Sequence, residues 1–152
     1  MAKVLGHKAI GWGDAAVDGL LNGVLAGLAM GLYLAASALL WGDAPATVLA
    51  RFDPSAQPSP VVGTLLHLAV SGVYGALFGI IWEFAGRSRV NVRAWMGGLA
   101  YGLLLLAIAA TAITSGATWL KAIPFIHVTV AHIIYGLALG YLTGRGKNGA
   151  RS

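Results

Sequence analysis

Long uncharged stretches divide this chain. The four longest hold 24, 29, 27 and 23 residues and lie between Asp18 and Asp43, Asp53 and Glu83, Arg93 and Lys121, and Lys121 and Arg145. A helix crosses the roughly 30 Å hydrocarbon core of a bilayer with about 20 apolar residues, because it rises about 1.5 Å per residue. The pattern therefore predicts four transmembrane helices, near residues 19–41, 61–83, 94–113 and 124–142.

These spans are predicted to be helices rather than strands. Residues 103–110 are apolar at every position, whereas a membrane strand alternates between apolar and polar side chains. In lipid, a single segment satisfies its own backbone hydrogen bonds only as a helix. We therefore predict an all-α membrane protein whose four transmembrane helices form one integral membrane domain over residues 1–152.

The connection between the first two spans, residues 42–60, holds four of the five prolines: Pro45, Pro54, Pro58 and Pro60. Proline is favoured in the first turn of a helix, so Pro45 predicts a short surface helix running to about Phe52 and capped by Asp43. Residues 53–60 then form an extended connector, and Pro124 starts the fourth span. Residues 1–17 are predicted to be an interfacial lead-in segment rather than a cleaved secretory signal.

Composition agrees with a membrane location. Hydrophobic residues make up 58% of the chain and charged residues 10%, with a mean hydropathy of +0.78, whereas typical soluble domains have about 25% charged residues. A soluble domain of this size could not bury so much apolar surface. Cysteine is absent, which excludes disulfides and thiolate sites. Only five residues are acidic, so we expect no carboxylate-based enzyme chemistry.

The basic residues predict the orientation. Eight of the ten lie on one side of a four-span chain, namely Lys3, Lys8, Arg87, Arg89, Arg93, Arg145, Lys147 and Arg151, while Arg51 and Lys121 lie on the other. Loops rich in Lys and Arg stay cytoplasmic, so both termini are predicted to be cytoplasmic in a plasma (inner) membrane. The net charge of +5 fits contact with anionic lipid headgroups, and we expect no nucleic acid partner.

The sequence has two similar halves. Residues 27–38 match residues 98–109 at eight of twelve positions, and Tyr74-Gly75-x3-Gly79 matches Tyr135-Gly136-x3-Gly140. A parallel repeat of this kind predicts two tandem helical hairpins related by a pseudo-two-fold axis along the membrane normal. The alternative is chance similarity between helices rich in Ala, Gly and Leu.

Small residues recur at every fourth position of the spans. The glycines of these stripes are Gly19, Gly23, Gly27 and Gly31 in the first span, Gly75 and Gly79 in the second, Gly98 and Gly102 in the third, and Gly136 and Gly140 in the fourth. Close backbone packing through small residues holds membrane helices together, because lipid provides little hydrophobic drive between them. We predict tight packing within a glycine-rich bundle. A partner helix or a flat cofactor against one stripe is the alternative.

Polar residues at membrane depth are candidates for function. Here they are mainly His67, Ser71, Tyr74, Tyr101, His127, Thr129, His132 and Tyr135, and no Asp, Glu, Lys or Arg accompanies them. The lack of charge at this depth argues against a proton pump, an ion-coupled transporter or an aspartyl protease. Ser71 also has no acid at its depth to complete a hydrolase triad.

His67 and His132 are the best candidates for a binding site. They lie about 9 Å and about 12 Å into two spans that run in the same direction. Neutral imidazoles at matched depth could be the axial ligands of haem b, with no other metal expected, or could bind a quinone headgroup. Tyr74 and Tyr135 would complete the site. The alternative is that each histidine only forms an interhelical hydrogen bond.

Three further residues bear on this site. Gly75 and Gly136 lie farther along the same spans than the histidines and are expected to leave room for a flat ring. His127 lies nearer the membrane surface and off the His132 face of its helix, so we expect it to be interfacial rather than part of the site.

The second and fourth spans share one pattern, which consists of His67, Tyr74-Gly75 and Gly79 in one and His132, Tyr135-Gly136 and Gly140 in the other. In this pattern the chain resembles small four-span bacterial inner-membrane proteins of unknown function, in which His followed by Tyr/Phe-Gly-x3-Gly recurs in the even-numbered helices. The resemblance implies a four-helix inner-membrane fold and no particular activity. The Pro-rich loop at residues 42–60 has no counterpart in that pattern.

Taken at this level, the chain is predicted to be a non-catalytic membrane protein. We expect an accessory or structural subunit that packs against other membrane-protein helices, as a hetero- or homo-oligomer surrounded by lipid. A module that binds haem b or a quinone is the first alternative. A small-solute channel or transporter is the second, and it is less favoured because charge at membrane depth is missing.

Overall fold

The computed structural model describes residues 11–87, 93–115 and 122–149. Within these ranges the chain forms five α-helices: α1 (Trp12–Ala38), α2 (Pro45–Ala50), α3 (Pro60–Arg87), α4 (Ala94–Ser115) and α5 (Phe125–Gly149). The four long helices, α1, α3, α4 and α5, are each long and apolar enough to cross a membrane. The structure therefore confirms the predicted all-α membrane fold with four spanning helices.

α1 begins before the apolar pattern does. It starts at Trp12, so residues 12–17, which the sequence predicts to be an interfacial lead-in, are continuous with the first long helix, while residues 1–10 lie outside the described part of the chain. The Asp14 carboxylate accepts a hydrogen bond from the Gly11 amide at 3.2 Å. This bond satisfies one of the amides that a helix start leaves free, so the helix can begin several residues before the long uncharged stretch.

α1 also ends earlier than predicted, at Ala38 instead of residue 41. The amide of Asp43 donates to the Ala38 carbonyl at 3.1 Å, and Gly42 between them has a φ of +85°. Glycine adopts this left-handed conformation without steric cost. The helix therefore stops in a tight turn that directs the chain into α2.

α2 forms where Pro45 predicts it, but it ends at Ala50 and has Ala44 rather than Asp43 at its cap position. The Asp43 carboxylate has other partners. It accepts a hydrogen bond from the Trp41 indole at 2.8 Å and forms an ion pair with Arg51 at 2.8 Å. The Trp41 bond and then Arg51 hold the pKa of the Asp43 carboxyl below its ordinary value, because both favour the charged form.

Prolines mark the starts of two long helices. Pro60 is the first residue of α3. α5 begins at Phe125, one position after the predicted start, and the Pro124 carbonyl accepts the amide of His127 at 2.9 Å. Proline fits both places because it has no amide hydrogen that would need a partner there.

The four long helices pack as two pairs. α1 packs along α3, α4 packs along α5, and α1 also contacts α5. α2 lies against both α1 and α3 at one end of the bundle, which we call the α2 end. α3 and α4 have little direct contact, so the bundle is loosely packed between them.

Glycines bring the backbones of α1 and α3 into direct contact. A Cβ atom added to Gly19 would overlap the carbonyl oxygen of Gly75, and one added to Gly75 would overlap the carbonyl oxygen of Gly19. Gly23 lies against the backbone of Ser71 in the same way. We call this contact the α1–α3 glycine interface; its glycines are Gly19, Gly23, Gly75 and Gly79.

The same contact recurs between α4 and α5. Gly98 lies against the Gly136 carbonyl, Gly136 against that of Gly98, and Gly102 against that of His132. A Cβ on Gly140 would overlap the Ala94 carbonyl. We call this contact the α4–α5 glycine interface; its glycines are Gly98, Gly102, Gly136 and Gly140.

The two glycine interfaces give a different alignment of the halves from the sequence match. Gly79 meets Ala15 as Gly140 meets Ala94, so Ala15 corresponds in packing to Ala94, and Gly19 to Gly98. The sequence match instead pairs residue 27 with residue 98, which is two helical turns away. The residues that match in sequence are therefore not the ones in equivalent packing positions, because letter identity among small residues does not identify which of them touch.

Candidate functional site

A cavity of about 310 Å³ lies between α3 and α4, in the half of the bundle nearer the α2 end. We call it the histidine cavity, because both candidate histidines line it. Its polar lining residues are His67, Ser71, Tyr74, His132 and Tyr135. The structure thus brings together the four residues proposed from sequence as a binding site, His67, His132, Tyr74 and Tyr135, and adds Ser71.

The rest of the cavity wall is apolar. Met30 and Leu34 contribute from α1, and Phe52 contributes from the segment after α2. At the rim, Leu66 and Val70 of α3 and Ile108 of α4 line the cavity while being exposed on the outer surface of the bundle. The cavity is therefore open toward the lipid between α3 and α4, which are loosely packed against each other.

His67 is buried and is held by α1. Its Nε2 lies 3.0 Å from the carbonyl oxygen of Gly27, and a Cβ added to Gly31 would come within 3.4 Å of its ring. The ring of Phe52 covers it from the α2 end, with a centroid distance of 4.6 Å. Two of the α1 stripe glycines, Gly27 and Gly31, therefore provide space and an acceptor for the imidazole.

His132 is partly buried and is oriented by its own helix. Its Nδ1 lies 2.8 Å from the carbonyl oxygen of Val128, one turn earlier in α5. The interhelical hydrogen bond proposed from sequence is therefore present at His67, whereas the hydrogen bond described for His132 stays within α5. In each case one ring nitrogen is occupied by a backbone carbonyl, which fixes the ring orientation.

Two tyrosines cross-link the helices around the cavity. The Tyr135 hydroxyl donates to the Ser71 carbonyl at 2.7 Å and joins α5 to α3. The Tyr101 hydroxyl donates to the Tyr74 carbonyl at 2.9 Å and joins α4 to α3. Tyr101 was a candidate only as one of several polar residues at membrane depth, and the periodicity of α4 gave no indication of this contact.

His127 is not part of the cavity lining. Its Nδ1 lies 3.0 Å from the Tyr33 hydroxyl, and its ring lies 4.5 Å, centroid to centroid, from that of Trp41. Thr129 donates to the Phe125 carbonyl of its own helix at 3.0 Å. His127 therefore packs against Tyr33 and Trp41 rather than in the site, and the hydrogen bond of Thr129 stays within α5.

Gly75 and Gly136 do not make room for a ligand as expected. Each lies against the backbone of a neighbouring helix, Gly75 against Gly19 and Gly136 against Gly98. The expectation is wrong because these glycines face their helix partners, while the residue before each of them, Tyr74 or Tyr135, lines the cavity.

The cavity has the chemistry of a neutral binding site. None of the described residues that line it is an Asp, Glu, Lys or Arg. Within the described ranges there is no group of three or more His, Cys, Asp or Glu residues that could hold a metal ion. What the site offers is two imidazoles, three hydroxyls and apolar walls, a combination that suits a small molecule with a polar ring and an apolar remainder.

Comparison with protein-family models, with curated proteins and with solved structures gives no match for this chain. The function must therefore be argued from the contacts of its own residues.

Proposed function

We propose that this integral membrane protein binds a lipid-soluble small molecule with a polar ring in the histidine cavity. The observation that carries the proposal is one cavity that contains five polar side chains and opens toward lipid between α3 and α4. Polar groups at membrane depth are costly unless they are used. Five of them around one opening therefore favour a binding role over simple packing.

The position of the rim supports access from the bilayer. Leu66, Val70 and Ile108 are apolar and exposed, so an alkyl tail can lie against them in lipid while the polar ring occupies the cavity. The volume of about 310 Å³ is at the lower end of the roughly 300–1,000 Å³ found for ligand pockets. This size favours a single ring over an extended ligand.

The same size favours a quinone-type ring over haem b. Haem is a macrocycle of four pyrrole rings. A site that holds haem between two histidines needs one imidazole on each face of the ring. His67 and His132 line one small cavity together with Ser71 and Tyr135, and the Nε2 atom of His67 is bonded to Gly27. We therefore propose a quinone-type ring and not haem b as the ligand.

The sharpest test fills the cavity without touching its polar groups. Ala109 lines the cavity on α4, whereas Ala107 on the same helix is exposed and does not. Ala109→Phe should abolish binding of a decyl-substituted benzoquinone or hydroquinone to the protein in lipid nanodiscs, and Ala107→Phe should leave it unchanged. Equal binding by both variants would place the ligand elsewhere and contradict the proposal.

The predicted role as an accessory subunit has less support from the structure than from the sequence. The glycines that suggested a partner helix lie against other helices of this chain in both glycine interfaces. It remains a prediction, as does the absence of catalysis. Native mass spectrometry from mild detergent tests both roles together, because it reports stoichiometric protein partners and co-purifying small molecules in one spectrum.

We also propose that the α2 end faces away from the cytoplasm in a plasma membrane. Arg51 at that end is neutralised by its ion pair with Asp43, while Arg93 and Arg145 lie at the other end of the long helices. Basic residues favour the cytoplasmic side. The chain has no cysteine, so single cysteines at Ser55 and Ser88 can be labelled in intact cells with an impermeant maleimide. We expect labelling of Ser55→Cys only. Labelling of Ser88→Cys instead would mean that the chain has the opposite orientation.

A further inference from the structure

Three hydrogen-bonding side chains of the histidine cavity each form a hydrogen bond with a backbone carbonyl. The contacts are His67 Nε2 to Gly27 O at 3.0 Å, His132 Nδ1 to Val128 O at 2.8 Å, and Tyr135 Oη to Ser71 O at 2.7 Å. A carbonyl oxygen only accepts hydrogen bonds. The imidazole nitrogen or hydroxyl in each contact must therefore be the donor.

This assignment determines what each residue can offer to a ligand. A neutral imidazole has one N–H and one lone pair, so the second nitrogen of each ring, Nδ1 of His67 and Nε2 of His132, is an acceptor. The Tyr135 oxygen also keeps acceptor capacity after donating. The neutral form is the one that the bilayer interior favours, because an isolated charge there is costly.

The remaining polar lining does not reverse this balance. The hydroxyls of Ser71 and Tyr74 can each donate or accept, and the described residues of the lining include no Asp, Glu, Lys or Arg. Among the groups that face a ligand in the cavity, those that can only accept a hydrogen bond therefore outnumber those that can only donate one. A bound molecule satisfies the lone pairs of the two imidazoles only if it supplies hydrogen-bond donors, and an acceptor without a donor is unfavourable away from water.

We infer that the ligand of the histidine cavity is the dihydroxy, reduced form of a quinone-type ring, a para-hydroquinone carried on an alkyl tail. This inference rests on the proposed function and specifies its ligand. A hydroquinone presents two O–H donors to the lone pairs of His67 and His132, which come from different helices. The oxidised quinone presents two carbonyl oxygens, which face these lone pairs without a hydrogen between them.

The test compares three probes that share a ring and a tail: 2-decyl-1,4-hydroquinone, 2-decyl-1,4-benzoquinone and 2-decyl-1,4-dimethoxybenzene. Binding to the wild-type protein in nanodiscs is measured by calorimetry under anaerobic conditions, with empty nanodiscs as the blank. We expect the hydroquinone to bind about tenfold or more tightly than either other probe, which corresponds to the loss of one or more buried hydrogen bonds.

Variants then assign the preference to particular atoms. His132→Phe removes one acceptor and keeps a ring of similar shape, so it should bring the three affinities together. Tyr135→Phe is the second variant and should reduce the preference to a smaller extent. His127→Phe, outside the cavity, should keep the full preference of the wild type.

The outcomes separate this inference from the proposed function. Equal affinities for the three probes, or tighter binding of the quinone, would overturn the inference while leaving a ligand-binding cavity in place. If none of the probes binds the wild type above the empty-nanodisc blank, the proposed function itself fails and the inference fails with it. A hydroquinone preference that His132→Phe removes and His127→Phe retains supports both.

Discussion

The glycine interfaces and the histidine cavity lie side by side in the same bundle but consist of opposite kinds of contact. In the α1–α3 and α4–α5 interfaces, backbone meets backbone, and even one added Cβ would overlap a carbonyl oxygen. Between α3 and α4, side chains separate the helices and leave about 310 Å³ of space. The helices are thus in close contact in the α1–α3 and α4–α5 pairs, while α3 and α4 are separated.

This difference explains how a small membrane protein can keep a cavity open. Apolar side chains have little tendency to collapse inward when lipid surrounds them, so van der Waals contact and interhelical hydrogen bonds decide the packing. The glycine interfaces supply the contact, and the tyrosine hydroxyls of Tyr101 and Tyr135 hold α3 at a distance from α4 and α5. The comparison predicts large effects at the glycines and small ones at the cavity rim.

The largest effect is expected from Gly75→Ala. The added methyl group overlaps the backbone of Gly19 and Gly23, and overpacking of this kind typically costs about 1–3 kcal/mol. The matched control is Gly13→Ala, because a Cβ there meets nothing within 4 Å. That variant should be neutral or stabilise the helix by about 0.4–1 kcal/mol.

Thermal unfolding in detergent, followed by circular dichroism, measures both variants. Gly136→Ala should behave like Gly75→Ala, because the α4–α5 interface repeats the α1–α3 one. If Gly75→Ala raised the melting temperature as Gly13→Ala should, the helices would not be in backbone contact.

A smaller effect is expected from Tyr135→Phe. The variant removes the hydroxyl that bonds the Ser71 carbonyl across α5 and α3, and hydrogen bonds between membrane helices contribute about 0.6–1.7 kcal/mol. Tyr141→Phe on the same helix is the control, because Tyr141 is exposed. Loss of its hydroxyl should change stability by less than about 0.5 kcal/mol. Equal melting temperatures for the two variants would show that the bond to Ser71 contributes nothing.

Ala109→Phe should have almost no effect on stability. Its larger ring enters the open space between α3 and α4 instead of a packed interface, so we expect a change within about 0.5 kcal/mol. Its melting temperature should match that of Ala107→Phe within error. A loss as large as that of Gly75→Ala would mean that the space between α3 and α4 is as tightly packed as the glycine interfaces.

The last prediction concerns the loop at the α2 end, where a local effect should depend on pH. Asp53 accepts hydrogen bonds from the amides of Ser59 at 2.8 Å and Ser55 at 3.0 Å, and these bonds hold its pKa below the ordinary value of 3.8. A lowered pKa stabilises the fold at pH values above 3.8, and this stabilisation is lost as the pH falls through the lowered pKa. The pH effect should therefore be confined to strongly acidic solution.

Hydrogen exchange with mass spectrometry, corrected for the intrinsic effect of pH, tests this expectation. The amides of Ser55 and Ser59 should lose protection on acidification, while those of the glycine interfaces keep theirs. Protection at Ser55 and Ser59 that stays constant across the whole acidic range would show that Asp53 does not hold the loop.

Helix number and location were predictable because charge is absent from four long stretches, and hydrocarbon thickness sets how long such stretches must be. Helix ends were less predictable. α1 begins at Trp12, before the apolar region, because the Asp14 carboxylate accepts the Gly11 amide that would otherwise have no partner at the helix start. Hydropathy alone does not contain this information.

The candidate site was predictable in its members and not in its arrangement. His67 and His132 were paired by depth along their helices, and both line the cavity. Phe52 could not be predicted to cover His67, because its position depends on how α2 packs against α3. The roles of Gly75 and Gly136 were misassigned because a glycine leaves no side chain whose periodicity shows which way it faces.

The regular spacing of the α1 glycines bears on which alignment of α1 and α3 the chain adopts. Moving α1 along α3 by one turn, about 5.4 Å, would place Gly23 where Gly19 now lies, so the glycine contacts alone are compatible with more than one alignment. The hydrogen bond to His67 does not decide between them, because the same shift brings the Gly31 carbonyl to the place that the Gly27 carbonyl now occupies beside the Nε2 atom. The alignments differ in the position of α2, which follows α1 through the turn at Gly42 and packs against both α1 and α3. This short helix thereby selects one structure among several with similar glycine contacts, a role in conformational specificity that does not require a ligand.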